Sequence, residues 1–352
     1  MKLLLVGPFP PPHGGISVHV AEAKEQLERA GIESRVLNIN RAVPDSKEYV
    51  SCSSRLELLR VLLAHARQGW TLHLHINGHN DKSWMIAAAC GLVGQLAPGS
   101  LLTLHSGMAP GYLRNGSIWR RLLAYIACRL YDRVIVVNRQ IWCSIVSLGV
   151  APDCLEVIPA YFAISPRSTL PATGSDLGKH SRPLISTVLF HRPEYNVDLL
   201  IHALSRLRNR YPDLRCLIIG GGEQRQQTEQ LIRKEGMEES VGLLGDVSHE
   251  RCLGLIAASD LFIRVAQEDG DSISVREALS LGVPAVVSNV GHRPSGAILF
   301  HPGDLDDLVS TVEAILVAPR TNSAGALVLP PVPTVHPLLD IYNGLAVQGA
   351  RS

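Results

Sequence analysis

The strongest constraint on this chain is an interruption near its middle. Between residues 158 and 183 prolines fall at positions 159, 166, 171 and 183, with Ser, Thr and Gly between them. Neither a helix nor an interior strand accepts that composition, so the stretch reads as a linker. On either side the same pattern runs. Before it, β-forming runs at Lys2–Val6, Ser34–Ile39, Thr71–Ile76, Leu101–Leu104 and Arg133–Val137 alternate with helical stretches at 16–30, 55–68, 82–97 and 116–130. After it come strands at Leu184–Phe190, Leu214–Ile219, Val241–Leu244 and Leu261–Val265, alternating with helices at 194–210, 224–235 and 249–258. Alternation of this kind predicts parallel sheets covered by helices on both faces. At 352 residues the chain exceeds one ordinary core. The expected division is a first doubly wound α/β domain at 1–163, a linker at 164–183 and a second such domain at 184–335. Residues 321–337, rich in Pro, Gly and Ala, read as a connector to a terminal helix at 336–352 that returns to the first domain.

One stretch carries the densest chemistry. After the strand Leu261–Val265 comes an acidic loop, Glu268, Asp269, Gly270 and Asp271, and then a helical pattern with apolar Ile273, Val275, Ala278, Leu279 and Leu281, stopped by Gly282 and Pro284. The first turn of a helix holds N–H groups without intrahelical acceptors and the positive end of the dipole, which suits an anion. Ser272 and Ser274 add hydroxyls, and Gly270 lets a phosphate approach the backbone. Asp269 and Glu277 repel phosphate; their natural partners are hydroxyl donors, such as those of a sugar and a ribose. The combination points to a sugar nucleotide. Ser274 and Glu277 also have the spacing of a capping box, and that reading stands beside the functional one.

This stretch resembles the signature of the family-4, GT-B-type glycosyltransferases: an acidic residue, seven intervening residues, a Glu, then Ala-Leu, Gly and Pro before a short apolar strand. Asp269, Glu277, Ala278, Leu279, Gly282, Pro284 and Ala285–Val287 fill those places. Asp269 stands where the family has Glu, and Glu268 is the other residue open to the sugar-side role. The resemblance implies a GT-B fold, two Rossmann-like domains facing each other across a cleft. It also implies transfer from a nucleotide-diphosphate sugar with retention of configuration, Asp269 and Glu277 holding sugar and ribose hydroxyls, and Gly270, Asp271, Ser272, Ile273 and Ser274 meeting the diphosphate.

Other positions follow the same resemblance. Gly14 and Gly15, after the first strand, match the paired glycines near donor phosphates or acceptor; a tight turn needing positive φ is the plainer account. His105, after Leu101–Leu104, matches a family His that touches the donor sugar and phosphate, and its place at the carboxyl end of a strand suits a ligand site. Gly221, within three consecutive glycines, and Val247 match elements bordering the nucleotide. The departure is after Leu184–Phe190, where family members place an Arg and a Lys against the diphosphate. Here Leu189 and Tyr195 occupy those positions, with Asn196 in place of Gly, so the charge falls to Arg192, Arg264 or Arg293, or the diphosphate rests mainly on the helix terminus and glycine loops. Asn77 and His79 are acceptor-side candidates. His73, His75 and His79 form a cluster without a recognisable metal-ligand set, and no metal or other cofactor is implied.

Composition narrows the class. A net charge of +1 offers no reason to expect nucleic acid, but residues 1–167 hold 17 Lys and Arg against 11 Asp and Glu, and the remainder 16 against 21. The basic first half, with Arg120, Arg121 and Arg129 on an apolar helix, fits peripheral contact with an anionic membrane surface or simply a solvated basic edge. Seven cysteines lack C-x-x-C or disulfide-like spacing, which points to a reducing compartment. The first residues are too short in apolar length for a signal peptide, and Trp84–Leu104 is broken by Gly91, Gly94, Pro98 and Gly99, against a membrane span. The expectation is a cytoplasmic glycosyltransferase, peripheral at the inner face of the membrane, acting on a saccharide or lipid-linked acceptor in polysaccharide or glycoconjugate synthesis. The other classes are a sugar-nucleotide epimerase or hydrolase, and a noncatalytic subunit that binds the sugar nucleotide.

Overall fold

A computed structural model describes residues 1–40, 46–160, 182–317 and 337–349. The chain divides into two compact units, Met1–Phe162 with Val332–Ser352, and Ala163–Pro331. The linker expected at 164–183 and the connector at 321–337 lie almost wholly outside the described residues.

In the first unit the order is β1 (Lys2–Gly7), α1 (Gly15–Arg29), β2 (Glu33–Asn38), β3 (Val50–Ser51), α2 (Arg55–Arg67), β4 (Thr71–Ile76), α3 (Asp81–Gly94) and β5 (Ser100–Leu104). Then come α4 (Ala109–Arg114), α5 (Ile118–Arg129), β6 (Arg133–Val136), α6 (Arg139–Val146) and β7 (Leu155–Val157). The strands form one parallel sheet in the order β3-β2-β1-β4-β5-β6-β7. The order in which strands are added reverses between β1 and β4, and the loops leaving those two parallel strands flank the crevice where such sheets take ligands.

Side chains of each strand alternate between two apolar layers. Leu4 and Val6 of β1 and Leu72, Leu74 and Ile76 of β4 enter one layer with α2, α3 and α5. Leu3 and Leu5 enter the other, against Val20, Ala23 and Leu27 of α1. The period-2 pattern puts His73 and His75 on this second face, in a layer that is otherwise mostly apolar.

The second unit repeats the plan with β8 (Leu184–Val188), α7 (Val197–Arg208), β9 (Arg215–Ile219), α8 (Arg225–Lys234), β10 (Val241–Gly245), α9 (His249–Ala257) and β11 (Leu261–Arg264). It continues with α10 (Ile273–Ser280), β12 (Ala285–Ser288), β13 (Ile298–Phe300) and α11 (Leu305–Val317). Its parallel sheet runs β10-β9-β8-β11-β12-β13, so the reversal lies between β8 and β11. Finally, α12 (Pro337–Gly349) belongs to the first unit, where Leu338, Tyr342 and Leu345 are buried against the α1 layer.

Candidate functional site

In the second unit the loops after β8 and β11 meet at the sheet's reversal point. The Gln267 amide donates to the Glu194 carbonyl at 2.8 Å, tying one loop to the other. Asn196 has φ 49°, the left-handed region, and starts α7. Asn tolerates this conformation better than other side-chain-bearing residues, so it can stand where the resembling family has Gly.

Asp269 is the hub of this corner. Arg264, at the end of β11, donates Nε to Asp269 Oδ2 at 2.6 Å and Nη2 to Oδ1 at 3.0 Å, while its Nη1 reaches the Val188 carbonyl at 2.8 Å. Arg293, from the loop after β12, donates Nη1 to Oδ2 at 2.8 Å. The Asp269 amide neighbour Gly270 donates to Oδ1 at 3.1 Å. The Tyr195 ring lies 5.0 Å from the Arg264 guanidinium. Burial alone would raise the Asp269 carboxyl; the two guanidinium groups outweigh it and hold it at about 2. Both carboxylate oxygens are therefore engaged, and two cations face one anion, leaving one net positive charge.

Glycine makes this packing possible. Gly291 has φ 64°, and a Cβ there would lie 2.2 Å from the Asp269 carbonyl oxygen. Gly220 has φ 126°, and a Cβ would meet the Leu189 carbonyl oxygen at 1.9 Å. Gly221, between Gly220 and Gly222, borders open space instead. Of the glycine run, the flanking members are structural and Gly221 is the one with room for a ligand.

Ser272 is the N-cap of α10, without a side-chain capping bond. Glu277 thus sits two residues beyond the third helical position, and its Oε1 meets His249 Nε2 at 2.6 Å. That overturns the capping-box reading of Ser274 and Glu277. Ser272 and Ser274 hydroxyls lie 3.2 Å apart beside the first-turn amides, and Asp271 pairs with Arg276 Nε at 2.8 Å. Asp269, Gly270, Asp271, Ser272, Ile273, Ser274 and Glu277 are thereby gathered on one loop and helix start. Arg192 is exposed, 3.8 Å from the Glu223 carboxylate, and Val247 is buried in the apolar layer beneath α9 and α10. His249 was not singled out by the sequence; a lone His opening a helix after β10 carries no motif.

In the first unit, Gly14 is the N-cap of α1 in extended conformation and neither it nor Gly15 has positive φ, so the turn explanation does not hold. A Cβ on Gly15 would meet nothing within 4 Å, which leaves room above the α1 amides. Asn77 Oδ1 accepts from the His79 amide at 3.2 Å, and His79 Nδ1 lies 2.7 Å from Ser106 Oγ, next to His105. His105 itself joins a buried stack. Its Nε2 is 3.2 Å from His75 Nδ1, and its ring is 4.9 Å from that of His19. His73 stacks on His75 at 4.1 Å and has both nitrogens engaged, by Tyr342 Oη at 2.6 Å and Thr103 Oγ1 at 2.7 Å. Burial, with the neighbouring imidazoles adding to it, lowers His73 to about 3 and depresses His75 and His105 well below the ordinary range.

Two parallel doubly wound sheets, with an anion-suited helix start at the second reversal point, define a GT-B architecture. The family described as Glycosyltransferase Family 4 matches residues 13–160, and that described as Glycosyl transferases group 1 matches residues 177–319. The chain belongs to the family-4 glycosyltransferases. A phosphatidylinositol N-acetylglucosaminyltransferase subunit of Arabidopsis thaliana is 24% identical over 220 residues, covering 60% of this chain and 48% of that protein. The GDP-mannose-dependent alpha-(1-6)-phosphatidylinositol monomannoside mannosyltransferase of Mycolicibacterium smegmatis is 27% identical over 160 residues, 42% of each chain. The chain thus spans about half the length of these curated relatives. Anabaena HepE in complex with UDP-glucose superposes with a TM-score of 0.70 at 17% identity, over 90% of each chain. Sucrose-phosphate synthase from Thermosynechococcus elongatus does so with 0.67 at 18%, over 91% of this chain and 90% of that one. At such identity these likenesses establish the fold.

Proposed function

We propose that this glycosyltransferase moves a sugar from a nucleotide-diphosphate sugar to a saccharide or lipid-linked saccharide acceptor, with retention of configuration and without a metal at the reaction centre, in polysaccharide or glycoconjugate synthesis. The observation that carries the reading is the corner around Asp269. A helix start with open first-turn amides lies beside two guanidinium groups that exceed their carboxylate partner by one charge. That positive field suits a leaving diphosphate, and preorganised amides and guanidinium groups stabilise developing charge without reorganising. Glu277, held by His249, is the carboxylate for ribose hydroxyls, and Ser272 and Ser274 offer hydroxyls to phosphate. By the family resemblance, His105, Gly14 and Gly15 are donor-side candidates and Asn77 and His79 acceptor-side candidates. Retention is taken from the family, and the UDP-glucose complex of HepE supports a nucleotide-sugar donor.

A lipid-linked acceptor is favoured by two features. Both curated relatives above are named for phosphatidylinositol-based substrates. On α5, Ile118 and Trp119 are 70% and 74% exposed, Leu122 and Ile126 are exposed on the same face, and Arg121 and Arg129 are exposed nearby. An apolar stripe with a basic edge rests well on an anionic bilayer. Among the described residues no helix is long and apolar enough to cross a membrane. The working location is the cytoplasmic face of the membrane.

The test is thermal unfolding with UDP, GDP, ADP and their sugar conjugates, followed by product analysis with the stabilising donor. A ligand at a hundred times its dissociation constant adds about 2.7 kcal/mol. One base class should shift unfolding, and EDTA should leave the nucleotide-induced difference unchanged. Stabilisation by none, or sugar release that no acceptor redirects, would overturn the reading.

A further inference from the structure

We propose that His19, His75 and His105 form a binding site for a divalent transition-metal ion of the zinc class. The three residues come from α1, the end of β4 and the residue after β5, all within the first unit. One nitrogen from each lies within 4.8 Å of the others. Zinc–imidazole bonds of 2.0–2.1 Å at tetrahedral angles set ligand nitrogens about 3.4 Å apart. His75 Nδ1 and His105 Nε2 are already at 3.2 Å, and closing the set requires the His19 nitrogen to move from within 4.8 Å to the same separation.

The surroundings are those of a metal site. His19 Nδ1 lies 2.9 Å from the Ala160 carbonyl, a contact that makes Nδ1 the N–H donor and gives Nε2 the lone pair, as an outer carbonyl does for metal-bound imidazoles. His73 has both nitrogens engaged by Tyr342 and Thr103, so it stacks behind His75 as a wall and not as a ligand. His75 is fully buried, and its Nε2 finds no hydrogen-bond partner among the described residues. A buried imidazole in a hydrocarbon layer costs stability unless something uses its polar atoms.

Coordination by neutral imidazoles releases no proton. The one N–H shared between His75 and His105 moves to the outer nitrogen of its own ring, and both facing lone pairs go to the ion. Three imidazoles leave a fourth position for water or another small ligand.

The test uses the untagged full chain, stripped with chelator and equilibrated with Zn2+ or Co2+ alone, without nucleotide sugar, so that its outcome does not depend on the donor reading. Metal content after dialysis should reach one ion per chain, and Co2+ should give the visible spectrum of a nitrogen-ligated, low-coordinate site. His19→Asn and His75→Asn should each weaken binding at least about tenfold, while His79→Asn, outside the trio, binds like the unaltered chain. Should His75→Asn fail to fold, His19→Asn and the Co2+ spectrum of the unaltered chain still decide. No stoichiometric uptake, an all-oxygen Co2+ spectrum, or unchanged binding by folded His19→Asn would each overturn the site.

Discussion

Arg264 grips Asp269 with two parallel hydrogen bonds, Nε to Oδ2 at 2.6 Å and Nη2 to Oδ1 at 3.0 Å, and Arg293 adds a third contact at 2.8 Å. A carboxylate so engaged is a structural keystone as well as a candidate donor contact. Its removal leaves two buried guanidinium groups without their counter-ion.

Asp269→Asn should therefore destabilise the chain by roughly 3–5 kcal/mol in urea unfolding. A loss of donor affinity without that change in stability would show that the carboxylate acts on the ligand and contributes little to the corner.

The same ion cluster sets an acid limit. Asp269 titrates at about 2 in the folded state against an ordinary value of 3.8. As pH falls, the unfolded chain takes up this proton first. The stabilisation is complete above the ordinary value and disappears as pH passes down through about 2, a contribution on the order of 2 kcal/mol. The stability gap between the unaltered chain and Asp269→Asn should be wide at pH 6, about half closed at pH ~3 and narrow below pH ~2. A gap independent of pH would contradict the ionised pair.

Glu277→Gln removes the negative end of the 2.6 Å contact to His249. A ribose hydroxyl bonded to the charged carboxylate is worth about 1.5–3 kcal/mol, so KM for the donor should rise roughly tenfold or more, with a smaller rise for His249→Asn, which only holds that carboxylate. Unchanged donor kinetics in both variants would remove Glu277 from the nucleotide site.

Gly291→Ala meets two obstacles, φ of 64° and a backbone oxygen 2.2 Å from the new Cβ. The backbone conformation alone costs about 1–2 kcal/mol, and the displaced loop carries Arg293 away from Asp269. Unfolding should shift by at least that amount, with donor binding weakened in parallel. An unshifted midpoint would mean that the loop relaxes freely.

Trp119→Ala should weaken binding to anionic vesicles by about tenfold, because a large apolar side chain leaves the bilayer boundary. Arg121→Glu should reduce the dependence on anionic lipid, each basic residue near such a surface contributing about 1 kcal/mol. Equal co-sedimentation of both variants and the unaltered chain would dismiss α5 as a docking face.

The two α/β runs, their strand order of appearance and the Asp269–Glu277 segment were legible in the sequence because they rest on local physics. A continuous apolar run marks the buried strand Lys2–Gly7, a period-3.6 apolar pattern marks Gly15–Arg29, and Gly282 with Pro284 ends α10 through backbone geometry. Shorter pieces were not legible. Val50–Ser51 and Leu155–Val157 are too brief to show a period, and α6 passed unnoticed behind Asn138, whose side chain caps it by accepting from the Ile141 amide.

What the sequence determined by itself, then, was a pair of parallel α/β folds and a loop–helix start suited to a sugar nucleotide. Only the tertiary structure decided which charges meet. Arg264, Arg293 and Asp269 come from β11, the loop after β12 and the loop between β11 and α10. His19, His75 and His105 come from α1, β4 and the end of β5. Local patterning reports which face of an element is apolar, but the distance between side chains on different elements depends on sheet order and layer packing. The Asp269 counter-ions, the His249 partner of Glu277 and the three-imidazole cluster therefore emerged only once the sheets were assembled.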